Sequence, residues 1–174
     1  MYKKWKINKK LFCFYQELIV VHWNFNQSTF LPSTNQESSE KRILKLWFWK
    51  EQQWHQEEVE MVWSSDITKT IPHLINKLFY LLEEEGLLNK KVILQTVTLD
   101  SSRTTAYLNF DQSPFSPEMS CFNKLMIIEA ILRTLQENKV KLSFCQFLIR
   151  HKPFLDPQLN FSQPWPLEGF LHPS

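Results

Sequence analysis

Only two glycines, Gly86 and Gly169, occur in 174 residues. Phosphate-cradling loops and nucleophile elbows depend on glycine for positive φ and for close approach of backbone to ligand. Two isolated glycines therefore argue against dinucleotide-binding, P-loop and Gly-x-Ser-x-Gly architectures. The chain has to turn with other residues and bury its apolar side chains in ordinary strands and helices. Hydrophobic residues make up 43%, enough to fill the core of one domain of this length.

Charge and the reactive residue types narrow the function classes. The net charge is +2, but Lys3, Lys4, Lys6, Lys9 and Lys10 put five positive charges in the first ten residues with no acid among them, which leaves −3 for the remainder. A domain that neutralises phosphates needs a basic face, so no nucleic-acid partner is expected. Cys13, Cys121 and Cys145 are odd in number and far apart. That fits neither a zinc knuckle nor a disulfide framework; free buried thiols are expected, with a Cys121–Cys145 pair as the alternative in an exported protein. His22, His55, His73, His151 and His172 show no His-x-x-x-His or His-Glu-x-x-His spacing. No metal, no cofactor and no catalytic residue is expected, and His55 reads as a turn histidine.

The amino-terminal segment is basic over residues 1–10 and mainly apolar over 11–25. That is the outline of a signal-anchor, but Gln16, Glu17 and His22 interrupt the run, which falls short of the roughly 20 apolar residues of a spanning helix. A membrane anchor and an arm docked on the domain both remain open. Residues 26–40 are polar and read as a linker, 41–165 as the folded domain, and 166–174 as a tail.

From residue 41 the apolar period switches between 2 and 3.6. Residues 41–51 and 57–66 read as two strands linked by 52–56. A helix follows, capped by Asp66 or Thr70, with Pro72 in its first turn, an apolar stripe of Ile71, Leu74, Ile75, Leu78 and Leu82, and Gly86 at its C-cap. Glu83, Glu84 and Glu85 sit at the wrong end for the helix dipole and read as solvated. Residues 91–100 and 104–112 read as a second hairpin. A second helix is expected from Ser116, with Pro117 at its first position, to about Asn138. Leu125, Ile128, Leu132 and Leu135 form its core face, while Met126, Ile127, Ala130 and Thr134 form a second apolar side. Glu129, Arg133 and Glu137 read as a surface ion-pair ladder between them. Residues 141–152 read as the last strand, and the tail should run irregularly over the surface. The order is β-β-α-β-β-α-β: an α/β (α+β) fold with one mixed sheet packed by two main helices.

Two groups stand out as candidate binding residues. Trp47, Trp49, Trp54 and Trp63 are four tryptophans within seventeen residues. They mark either a strand covered on both faces or a stacking platform or partner interface. Met126, Ile127 and Ala130 are apolar on the outer side of the second helix, where a second copy, another protein, or the tail around Phe154, Leu155 and Trp165 would cover them.

The second half resembles the sporulation and spore-germination (GerMN) domain family. Residues 92–116, with Leu108-Asn109-Phe110-Asp111, are similar to that family's strand-turn-strand ending in a Leu-Asp-Leu-Ser-like motif. Residues 126–152, with the Thr134-Leu135 pair, resemble its helix and following strand, and 159–165 resemble its closing Asp-Leu-Ser-x-Pro motif. Two departures stand out: Arg150 and His151 replace the usual turn glycine, and Asn109 and Asn160 stand where the family has Asp. The resemblance covers about residues 41–165. It implies an exported, membrane-tethered domain of the bacterial envelope, without established catalytic residues, that binds or scaffolds. Together these readings predict a non-enzymatic module acting through a protein partner or a homo-oligomer. A cell-wall sugar or peptide stacked on the Trp hairpin is the alternative, with membrane association through residues 1–25.

Overall fold

The computed structural model describes residues 39–169. The arm expected over 1–25, residues 26–38 of the linker expected over 26–40 and residues 170–174 of the tail lie outside the described residues, and Ser39 and Glu40, expected in the linker, begin the first strand.

β1 (Ser39–Lys50) and β2 (Gln53–Ser64) form a long antiparallel hairpin in continuous register from Ser39↔Ser64 to Lys50↔Gln53. Its turn is two residues, Glu51 and Gln52, at φ 52° and 61°. The link expected over 52–56 is thus shorter and begins one residue earlier, and the turn forms without the Asn-Gly or Asp-Gly that usually marks one so tight. Trp54 and His55 are thus strand residues. The His55 ring stacks on Phe48 at 5.4 Å, and its Nε2 lies 3.1 Å from the Lys50 carbonyl.

α1 (Ile67–Glu84) is capped by Asp66, whose carboxylate accepts from the Thr68 amide at 3.0 Å. Pro72 sits in its second turn, not its first, so one helical N–H is missing there. The expected stripe of Ile71, Leu74, Ile75, Leu78 and Leu82 is buried. Gly86, at φ +71°, ends the helix in a Schellman turn: Gly86 N–H donates to Glu83 O and Leu87 N–H to Leu82 O, at 3.0 and 2.8 Å.

β3 (Leu94–Leu99) and β4 (Thr105–Phe110) form the second hairpin. α2 (Cys121–Glu137) carries the chain across to β5 (Phe144–Ile149), which pairs parallel with β4, as a crossover helix permits. The cap of α2 is Ser120, accepting from Asn123 N–H at 3.2 Å, and the expected cap at Ser116 belongs to a preceding turn.

The segment after the last expected strand, residues 153–166, does not run irregularly over the surface. β6 (Lys152–Pro153) and β7 (Trp165–Pro166) both pair with β5. Phe154 and Phe161 are buried in an aromatic cluster with Phe110, Phe115 and Phe147, with ring centroids 5.0–6.3 Å apart. Gln146 Nε2 donates to Phe161 O at 2.6 Å and holds the return segment against β5.

The fold is α+β with two main helices, but it has two sheets where one was expected: the β1–β2 pair and the β3–β7 sheet. The reason lies at the edge of β1. Lys45 N–H donates to Asn138 Oδ1 at 3.0 Å and Trp47 N–H to Thr134 Oγ1 at 3.0 Å, while Asn138 Nδ2 donates to Lys45 O at 2.7 Å. Side chains of α2 and of its C-cap Asn138 take the hydrogen bonds that a third strand would make. α2 is accordingly buried on both sides, and the expected Glu129–Arg133–Glu137 surface ladder does not form. Glu129 is 2% exposed, and a Cβ at Gly169 (φ +76°) would collide with its carboxylate.

Candidate functional site

Strand alternation sorts the tryptophans. Trp49 lies directly opposite Trp54, and Trp47 opposite Gln56, so Trp47, Trp49 and Trp54 share the outer face of the hairpin. Trp63 is an odd nine residues beyond Trp54 on the same strand and points the other way, with Val59 and Met61. It is buried, and the Arg42 guanidinium lies 5.4 Å above its ring. The four tryptophans therefore do not form one platform: three line the outer face and one belongs to the core.

The three outer rings meet α2. Trp49 packs edge-to-face on Trp54 at 5.4 Å and on Phe122 at 6.2 Å. The Arg133 guanidinium lies 3.9 Å from the Trp47 ring centroid and 4.9 Å from that of Trp54. This is a cation held against two π faces. Its Nε and the Trp47 Nε1 are buried N–H donors without an acceptor.

Below Trp49 a cleft of about 390 Å³ opens between the hairpin tip, the end of α1 and the start of α2. Leu82, Met126, Ile127 and Ala130 line it on the apolar side, Trp49 and Phe122 flank it, and Lys50, Glu51, Gln52 and Asn123 contribute polar groups. Lys50 is paired with Glu85 at 2.6 Å, which raises its pKa and gives the end of α1 a counter-charge. Met126, Ile127 and Ala130 are 5%, 6% and 1% exposed. The outer side of α2 is thus covered within the described residues by the β1–β2 hairpin rather than by the tail. These three residues line the cleft.

Other titratable groups serve the fold. Asp100 is held down at about 2 by hydrogen bonds from Ser102, Thr105 and Thr104 in the β3–β4 turn. The Asp66 carboxyl is lowered chiefly by its hydrogen bond from Thr68. Burial pushes the Cys145 thiol up to about 12. Cys121 and Cys145 are both free thiols. Lys124, 1% exposed, pairs with Asp156 at 2.7 Å and ties the start of α2 to the return segment. Asn109, one of the departures from the GerMN pattern, accepts from His151 N–H at 2.6 Å, and so braces the turn in which Arg150 and His151 both have positive φ.

Sequence reasoning missed Arg133, Phe122 and Lys50 at this site. Arg133 carried a signal that was assigned elsewhere: it lies at i+4 from Glu129 and i−4 from Glu137, which favours an ion-pair ladder on an isolated helix but not on a buried one.

No family model matches the chain, and no curated protein matches it. Among solved structures it is similar to the tandem GerMN domains of the sporulation protein GerM from Bacillus subtilis, at 14% identity and a TM-score of 0.47. The match covers 80% of this chain and 49% of that one, so the chain spans about half the length of the structure it matches.

Proposed function

We propose that this domain is a non-enzymatic binding module whose cleft takes an apolar anchor from an extended segment of a partner protein. One observation carries the reading: a cleft of about 390 Å³ exposes the apolar flank of α2 between Trp49 and a half-exposed Phe122. Concave apolar sites with a few polar groups at the rim are where ligand side chains dock. A sugar reading is less favoured. One face of Trp47 is occupied by Arg133, and Trp49 and Trp54 pack on each other, so these contacts compete with stacking on a sugar ring. The non-enzymatic part is supported by the structural employment of Asp66, Asp100, Asp156 and Cys145. An envelope setting draws its support from the sequence resemblance and from the basic-then-apolar order of residues 1–25, and cell fractionation checks it.

The test is a selection of random peptides displayed against the folded chain. We expect enriched sequences to share one large apolar residue and to lose binding to Phe122→Ala, whose half-exposed position leaves the fold intact. Enriched peptides that bind the variant and the parent equally would place the site elsewhere.

A further inference from the structure

The Arg133 clamp is unusual for what it lacks. Arg133 makes no ion pair with a carboxylate among the described residues, although Glu129 and Glu137 stand one turn away on either side. Its guanidinium instead lies over Trp47 and Trp54 at 3.9 and 4.9 Å. Two N–H donors, Arg133 Nε and Trp47 Nε1, are buried there with no acceptor. Buried donors are rarely left unpaired, and an orphaned pair beside a cation marks a place where an acceptor belongs. Cation–π attraction offsets part of the cost of withdrawing a guanidinium from water but satisfies none of its N–H groups. The acceptor that fits a guanidinium fork is a planar, singly charged oxyanion.

The clamp also adjoins the cleft. Ring contacts run without a break from Phe122 to Trp49 at 6.2 Å, from Trp49 to Trp54 at 5.4 Å, and from Trp54 to the Arg133 guanidinium at 4.9 Å. From Phe122 to Arg133 the helix rises about 16 Å, the span of roughly five residues of extended chain.

We propose that Arg133, clamped between Trp47 and Trp54, receives a carboxylate presented by the segment whose apolar anchor fills the cleft. The ligand class is an extended peptide with an acidic side chain or a terminal carboxylate about five residues from its anchor. This inference rests on the cleft reading for the peptide, but the carboxylate site itself is testable without one.

The probe is sodium acetate, titrated against sodium chloride at constant ionic strength. The readout is the indole N–H resonance of Trp47, assigned by its loss in Trp47→Phe. A saturable shift at millimolar acetate, absent in Arg133→Met and weakened in Arg133→Lys, is the expected result. An equal shift with chloride, no saturable shift, or a shift that survives in Arg133→Met overturns the site. Phe122→Ala should leave the acetate response unchanged. Enriched peptides that bind Phe122→Ala as tightly as the parent, with the acetate response intact, fault the cleft and not the clamp, whereas peptides that depend on Phe122 in a parent with no acetate response fault the clamp alone.

Discussion

The side-chain amide of Asn138 engages both backbone groups of Lys45, accepting from its N–H at 3.0 Å and donating to its carbonyl at 2.7 Å. It does for the edge of β1 what a neighbouring strand would do. Asn76 repeats the arrangement on the second sheet, accepting from Leu94 N–H at 2.7 Å and donating to Leu94 O at 3.1 Å. Two asparagines, one within α1 and one capping the end of α2, thus close two strand edges.

Asn138→Ala leaves the N–H and C=O of Lys45 unpaired at a half-buried edge. We expect a loss of about 1–3 kcal/mol in denaturant melts. Asn138→Asp keeps the acceptor and loses the donor, and should fall between the two. A cost below a few tenths of a kcal/mol for Asn138→Ala would mean that water replaces the amide freely.

How much of this was legible follows from the range of each interaction. The α1 stripe, its Asp66 cap and the Gly86 C-cap are set by residues within one or two turns, and the sequence carries them openly. The second apolar side of α2 was legible as well, since Met126, Ile127 and Ala130 demanded a cover. What covers them was not, because the β1–α2 contact joins residues 87 and 93 positions apart. That Trp63 parts from the other three tryptophans was hidden for a local reason: placing the link at 52–56 left Trp54 outside the second strand and concealed the odd spacing that sends Trp63 inward. Lys124 and Asp156 lie 32 residues apart, and a buried lysine in the first turn of a helix runs against the dipole, so nothing nearby announced the pair.

Lys124→Met strands the Asp156 carboxylate, and we expect a loss of about 3 kcal/mol near neutral pH. Burial pushes the Asp156 carboxyl up, but the hydrogen bond from Lys124, the Gln158 and Leu159 N–H groups and the Lys124 charge outweigh it and hold the carboxyl below its usual value. A carboxyl lowered by folding contributes stability that is present above its unfolded pKa of about 3.9 and is lost as pH falls through the folded value. Acid melts of the parent should therefore steepen below about pH 4, and Lys124→Met should flatten that limb. Parallel acid limbs in both proteins would show that the pair does not set it.

Glu51 and Gln52 both occupy the left-handed region, where side chains other than Gly, Asn and Asp are strained. Replacing them with Asn-Gly should stabilise the domain by about 1–2 kcal/mol, measured as a raised urea midpoint at unchanged slope. Because both residues also line the cleft, a stabilised variant with altered peptide selection would further support the cleft as the site.

Cys145 is fully buried, with its thiol pushed up to about 12, whereas Cys121 is partly exposed. In a Cys13→Ser background, a thiol reagent should label Cys121 in the native protein and reach Cys145 only after unfolding. Rapid labelling of both would mean that β5 opens without global unfolding.

Leu132 and Phe122 lie on the same helix at opposite extremes of burial, 0% and 52% exposed. Truncating Leu132 to Ala removes buried methyl groups and leaves a cavity in a close-packed layer between the β3–β7 sheet and β1, so the cost should be about 2–5 kcal/mol. Truncating Phe122 removes a ring that touches Trp49 at one edge only, and its cost should stay within about 0.5 kcal/mol. Paired urea melts decide this. A loss under about 1 kcal/mol for Leu132→Ala would put the core face of α2 in the wrong place. A loss above about 2 kcal/mol for Phe122→Ala would make that ring a structural wedge, and its use as a fold-neutral probe of the cleft would fail.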